Sequence, residues 1–350
     1  MEVRSTGGGC AVRNGILGRV RALFGLESAP LWAHAVIVLV TVGIIALGAH
    51  WVVESSARMA ARLGVSELVI GLTVVAFGTS APEFAVTLLA AFRNQGDISV
   101  GNIVGSNIFN LGFILGGCAM IRAIPTSKAL VKRDGVVIAI STLLVLAVVG
   151  WDLRLDRYDG GALFLMLIVY LAVLFKQRKE HPDEGPEAEF HLDTEHPKSL
   201  GLDVVELVGG LTAIIVGSHL LVISATELAR GFGVSEWVIA VTIVAAGTSA
   251  PELATSLAGV IKNRYGISAG NIIGSDIFNL LGVLGLAGLL RPVEVDAMAR
   301  VSLAALSGTV MVVLLFMRSG WRLSRLEGLA LVAIAAVRWI FDFSTRSGGP

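Results

Sequence analysis

Two stretches of the chain, 169 positions apart, carry nearly the same text. Residues 67–116 read ELVIGLTVVAFGTSAPEFAVTLLAAFRNQGDISVGNIVGSNIFNLGFILG, and residues 236–285 read EWVIAVTIVAAGTSAPELATSLAGVIKNRYGISAGNIIGSDIFNLLGVLG. Aligned without a gap, 28 of the 50 positions are identical. A match of this length requires internal duplication. It continues upstream, where Gly48-Ala49-His50 meets Gly217-Ser218-His219 and Gly64-Val65-Ser66 meets Gly233-Val234-Ser235. Whatever the first copy builds, the second builds again.

The medium is set by composition. Of 350 residues, 55% are hydrophobic and only 15% are charged. A water-soluble domain of this size leaves too much surface wet to hide that much apolar matter. The chain therefore reads as an integral, multi-pass membrane protein of the all-α class. A helix needs about 20 apolar residues to cross the hydrocarbon. Ten such stretches are present: 31–56, 68–92, 98–121, 135–151 and 160–175, then 204–229, 237–261, 267–290, 298–317 and 326–343. The expected organisation is a tail at 1–30, a first five-helix repeat at 31–175, a polar linker at 176–203, a second repeat at 204–343 and a short tail at 344–350. The linker is rich in charge and proline, which suits a solvated connection. The first tail lacks the pattern of a cleaved leader and reads as flexible, with an amphipathic piece near 20–26.

Five spans per repeat is an odd number. Equivalent helices then cross the bilayer in opposite senses, which makes the repeats inverted. Lys and Arg are more frequent in the loops that face the cytoplasm when the N-terminus is outside, so that orientation and a cytoplasmic linker are expected. Net charge is zero, with no basic cluster to attract nucleic acid. The two cysteines, Cys10 and Cys118, form neither a disulfide framework nor a zinc motif.

Carboxylates inside a bilayer are costly and mark function. Each of the spans 68–92 and 237–261 carries one near its middle, Glu83 and Glu252, at repeat-equivalent places. Both end the motif Gly-Thr-Ser-Ala-Pro-Glu. Proline has no N–H and pushes away the carbonyl four residues earlier, so Pro82 frees that of Gly78 and Pro251 that of Gly247. Exposed backbone at this depth is tolerated only against protein or a watery cavity. Thr79 and Ala76 share a helical face with Glu83, as Thr248 and Ala245 do with Glu252. In the next spans, Ser106 and Asn110 stand four apart on one face, as do Ser275 and Asn279. Asp276 replaces Asn107 and breaks the symmetry. It reads as a ligand, a group one layer behind, or a proton-carrying residue. Asn102, Asn107 and Asn271 read as helix–helix hydrogen bonders, and so do His50 and His219. Glu54, Glu206 and Glu227 lie near helix ends and read as interfacial.

These candidate donors are all oxygen. Nothing competes for zinc or copper. Calcium takes about 6–8 oxygens, often from carboxylates and carbonyls, and two glutamates balance one divalent ion. Sodium fits parts of the same cage.

At these residues the chain resembles the calcium/cation antiporter superfamily, most closely its prokaryotic sodium/calcium exchanger branch. The resemblance rests on GTSAPE followed by GNIVGSNIFN, and GTSAPE followed by GNIIGSDIFN. It implies ten helices in two inverted repeats, an ion site on helices 2, 3, 7 and 8, and a sliding pair, helices 1 and 6. It implies Glu83 and Glu252 as main calcium ligands, and Thr79 and Thr248 as carbonyl donors. Ser80, Ser249, Ser106, Ser275, Ala76 and Ala245 would line flanking sodium sites, and Asn110 and Asn279 would border the centre. Some relatives carry an acid where Asn279 stands. The expected activity is exchange of calcium for sodium across the cell membrane, with those ions as cargo, no resident cofactor and no enzymatic step. The bilayer is the expected partner, and the sequence leaves open whether the chain works as a monomer. The alternatives are proton/calcium exchange, potassium-dependent exchange, a passive cation channel and an intramembrane hydrolase using Ser80 or Ser249.

Overall fold

The computed structural model describes residues 29–177, 199–234 and 245–346. The tail before residue 29, most of the linker and the start of the seventh expected span lie outside the described residues, so the readings made there stand as expectations.

The first helix, α1 (Leu31–Leu63), starts after Pro30 and ends at Gly64. Gly64 has φ 62°, and its N–H caps the carbonyls of Ala60 and Ala61. A left-handed residue at this point suits glycine, which has no Cβ to clash. At 33 residues and about 1.5 Å per residue, α1 is close to 50 Å long, well beyond the hydrocarbon thickness. Its repeat partner, α7 (Leu200–Gly231), starts earlier than position 204 because Ser199 Oγ accepts from the Leu202 N–H at 3.3 Å and caps it. The two long helices pack together. A Cβ on Gly48 would sit 2.8 Å from the Gly210 carbonyl, and one on Gly210 2.7 Å from the Gly48 carbonyl. Small residues here let the backbones touch, the usual basis of helix association in lipid. Ile45, Val52, Ile214 and Val75 belong to a cluster separate from the main core.

The expected single span 68–92 is in fact two helices. α2 (Glu67–Thr79) and α3 (Ala81–Phe92) meet at a 50° bend, with Ser80 between them at φ −76°, ψ 4°. The physical cause is Pro82 in the first turn of α3, where its missing N–H costs nothing but cannot continue α2. Then come α4 (Gly96–Ile121), α5 (Leu130–Asp152) and α6 (Arg157–Gln177). After α7 the second half shows α8 (Ala245–Thr248), α9 (Ala250–Ile261), α10 (Tyr265–Leu290), α11 (Met298–Arg318) and α12 (Arg325–Arg346). Among the described residues, seven helices are long and apolar enough to span a membrane, and eight if α2 and α3 count as one bent span.

The halves interlock reciprocally. The C-terminal part of α4 packs on α12, and that of α10 packs on α6. Both contacts are made by glycines: Gly116 against the Gly328 carbonyl, and Gly285 against the Gly160 carbonyl. Four two-residue strands repeat the exchange. β1 (Ile124–Pro125) pairs antiparallel with β4 (Arg322–Leu323), and β2 (Arg154–Leu155) with β3 (Val293–Glu294). α10 runs through the centre, with 89% of its apolar window buried.

Candidate intramembrane cation site

Two breaks and two polar helices build the site. Ser80 separates α2 from α3, and Ser249, at φ −88° and ψ 7°, separates α8 from α9. Each break puts a carboxylate in the first turn of the helix that follows, Glu83 in α3 and Glu252 in α9. Both are fully buried. They lie near one another, and Asp276 lies near Glu252. Each faces hydroxyls of the opposite half. Ser80 Oγ donates to Glu252 Oε1 at 3.3 Å. Thr248 and Ser249 face Glu83 without reaching hydrogen-bond geometry to it.

α4 and α10 supply the remaining oxygens. Both contain a π-helical stretch, Asn110–Leu115 and Phe278–Val283. Asn110 opens the first and Asn279 lies at the equivalent place in the second. Such widened turns concentrate at functional positions, and helical periodicity alone gave no sign of them. Thr79 Oγ1 donates to Asn271 Oδ1 at 3.0 Å and lies 3.3 Å from Ser275 Oγ. Ser275 Oγ donates to the Ala76 carbonyl at 3.4 Å. Ser106 Oγ donates to the Ile103 carbonyl at 3.1 Å and accepts from Asn279 Nδ2 at 3.4 Å.

What is left without a partner is informative. Both oxygens of Glu83, Oε2 of Glu252, Oδ2 of Asp276, Oδ1 of Asn110, Oδ1 of Asn279 and Oγ of Ser249 are buried with no hydrogen bond. A buried polar group left unpaired costs about 1–3 kcal/mol, and more when charged. None of the three acids is in an ion pair among the described residues. Nor do three or more His, Cys, Asp or Glu side chains gather there as a metal cluster. The donor set is thus few carboxylates and many neutral oxygens. That chemistry suits a dehydrated hard cation and gives soft metals no ligand.

Several residues behave otherwise than the sequence implied. His50 is exposed and His219 is half-buried with Nε2 unpartnered, so neither makes the expected inter-helix bond there. Thr87 and Ser256, unremarked in the sequence, anchor the motif asparagines: Asn102 Nδ2 donates to Thr87 Oγ1 and Asn271 Nδ2 to Ser256 Oγ, both at 3.0 Å. These two bonds are repeat-equivalent. Asp203 also went unremarked. It is fully buried in the first turn of α7, 2.6 Å from Arg58 Nε and 3.0 Å from Arg62 Nε. Glu206 joins Arg58 there. Glu54 pairs with Lys262 at 2.6 Å, and Glu227 with Arg230 at 2.6 Å. Ala76 and Thr79 are buried at the end of α2; Ala245 and Thr248 form the short α8 before the second break.

Fold and site together define a multi-pass helical membrane protein with a buried oxygen-donor site shared by duplicated halves. Known proteins agree. The family described as "Sodium/calcium exchanger protein" matches residues 33–176 and 203–342. The inner membrane protein YrbG of Escherichia coli (strain K12) is 36% identical over 263 residues, covering 73% of this chain and 79% of its own. The sodium/calcium exchanger MaX1 of Methanosarcina acetivorans is 30% identical over 319 residues, covering 81% and 91%. Among solved structures, the sodium-calcium exchanger NCX_Mj superposes with a TM-score of 0.76 at 30% identity, over 88% of this chain and 98% of that one. The chain belongs to the sodium/calcium exchanger protein family, and sodium/calcium antiport is its activity.

Proposed function

We propose that this antiport runs by alternating access around a site at the bilayer midplane, held between two inverted five-helix repeats at 31–175 and 204–343. Glu83 and Glu252 ligate calcium together with the carbonyls of Thr79 and Thr248. Sodium occupies flanking positions lined by Ser80, Ser249, Ser106, Ser275, Ala76 and Ala245. Asn110 and Asn279 border the centre. The observation that carries this reading is the set of buried, donorless oxygens contributed by both halves. Two carboxylates balance one calcium ion, and sodium ions that occupy the same oxygens displace it. Exchange then follows from competition, since a ligand shifts a conformational equilibrium only through differential affinity for its states. The close backbone contact of α1 with α7 at Gly48 and Gly210 supports their movement as a unit. For NCX_Mj, extracellular ion exchange and induced occlusion of the binding site are described. In this chain the N-terminus lies outside and the linker lies in the cytoplasm of a cell-membrane protein, which places the ends of α1 and α3 on opposite sides.

The test is calcium flux into proteoliposomes under separately imposed sodium, potassium and proton gradients. Flux driven by sodium alone supports the proposal. Flux driven by protons without sodium assigns the chain to proton/calcium exchange, and an absolute potassium requirement assigns it to the potassium-dependent type. Downhill calcium flux indifferent to every counter-gradient defeats the antiport mechanism and describes a channel.

A further inference from the structure

Within the motif GNIxGSxIFN, the two halves differ at one chemically significant place, Asn107 against Asp276. The structure gives this pair a reciprocal task. Asn110 Nδ2 donates to Asp276 Oδ1 at 3.0 Å. Asn279 Nδ2 donates to Asn107 Oδ1 at 2.9 Å. Asn110 and Asn279 are repeat-equivalent, as are Asp276 and Asn107, so one bond is the image of the other. Each amide is held by a side chain of the opposite half. Its nitrogen is thereby engaged with protein, and its Oδ1 is left buried and unpartnered.

We propose that Asn107 and Asp276 are positioning residues that turn the amides of Asn279 and Asn110, so that both carbonyl oxygens are presented to the transported cation. The proposal rests on the reading that Asn110 and Asn279 border the ion. An amide can present either its oxygen or its NH2, and only the oxygen attracts a cation. A half-turn of either side chain replaces a ligand with two donors. The two halves prevent this by different means. Asp276 offers Oδ1 as an acceptor, so Asn110 meets it with its NH2. Asn107 is itself fixed, because its Nδ2 donates to the Asp276 main-chain carbonyl at 3.1 Å. Its Oδ1 is then directed at Asn279. Asn110 and Asn279 lie in the π-helical stretches, and Asn107 and Asp276 in the α-helical turns just before them. The residues that hold a metal's ligands matter nearly as much as the ligands, and losing one costs about 10–100-fold in affinity.

The experiment measures sodium-driven calcium flux by the full chain in proteoliposomes, with KM for calcium and kcat determined separately, on Asp276→Asn, Asp276→Leu and Asn107→Leu. Asparagine keeps an acceptor oxygen and leucine does not. Asp276→Leu and Asn107→Leu should each raise KM by about 10-fold or more, with kcat changed less. Asp276→Asn should stay within about threefold of the wild-type KM. If Asp276→Asn is as inactive as Glu83→Gln, Asp276 acts through its charge and the positioning role is overturned while the ion site stands. A wild-type KM in both leucine variants overturns it as well. If Glu83→Gln itself transports normally, the underlying site reading fails first. Should a leucine variant not fold, the exchange Asn107→Asp with Asp276→Asn keeps an acceptor at both positions. Transport by that double variant with KM within about tenfold of wild type supports the proposal, and its loss in a folded protein defeats it.

Discussion

Replacing Glu83 by glutamine separates a ligand from a structural acid. Both Glu83 oxygens are buried, and neither accepts a hydrogen bond. Glutamine has the same shape and forfeits no bond there, so the cation-free protein should keep or raise its thermal midpoint. Calcium reveals the defect. A ligand that binds only the folded state stabilises it by about 2.7 kcal/mol at a hundred times its Kd. For a chain of 350 residues, about 1.4 °C per kcal/mol gives the wild type a rise of roughly 4 °C. Removing one member of a buried charge pair costs about 3–5 kcal/mol, or at least about a hundredfold in calcium affinity. At the same calcium concentration the variant is then near half-saturation, and its midpoint rises by only about 0.6 °C. Intrinsic fluorescence from the six tryptophans during heating of detergent-purified protein reports both midpoints. A variant with the full calcium response refutes the ligand assignment. A large fall in its cation-free midpoint shows instead that Glu83 is holding helices together.

Three further outcomes test the frame around the site. Asp203→Leu leaves Arg58 and Arg62 without their shared buried acceptor; it should cost roughly 3 kcal/mol, read as a lower thermal midpoint, and an unchanged midpoint means the cluster is inert. Gly48→Val puts a Cβ 2.8 Å from the Gly210 carbonyl. Overpacking of this kind costs about 1–3 kcal/mol and should slow calcium flux; flux at the wild-type rate would show that α1 and α7 need not touch there. Lys262→Glu sets like charges at the partly exposed pair with Glu54. A change of about 1 kcal/mol or less is expected, up to about fivefold in transport rate, with recovery when Glu54→Lys is added; the absence of recovery denies the pair any role.

How far the sequence reaches can be seen residue by residue. Glu83 and Glu252 were legible because a charge inside an apolar run has no ordinary explanation, and duplication set them at matching depths. The break at Ser80 was foreshadowed by Pro82, whose missing N–H is a covalent fact. The bend of α2 against α3 was not, since its size depends on what the helices lean against. The histidines misled because a pattern cannot tell which side of a helix meets lipid: His50 is exposed. Asp203 escaped notice because its meaning lies in Arg58 and Arg62, far away in the chain and adjacent in space.

The amino-acid order alone determined the medium, the duplication and the chemical kind of donor, because those follow from hydropathy, identity and functional groups that each residue carries with it. Only the tertiary structure decided which donors face one another. The hold of Asp276 on Asn110 and of Asn107 on Asn279, the π-helical turns beneath them and the reciprocal glycine contacts between the halves arise from packing two copies against each other. Such contacts join residues well over a hundred positions apart, and no local pattern encodes a distance that only the folded chain closes.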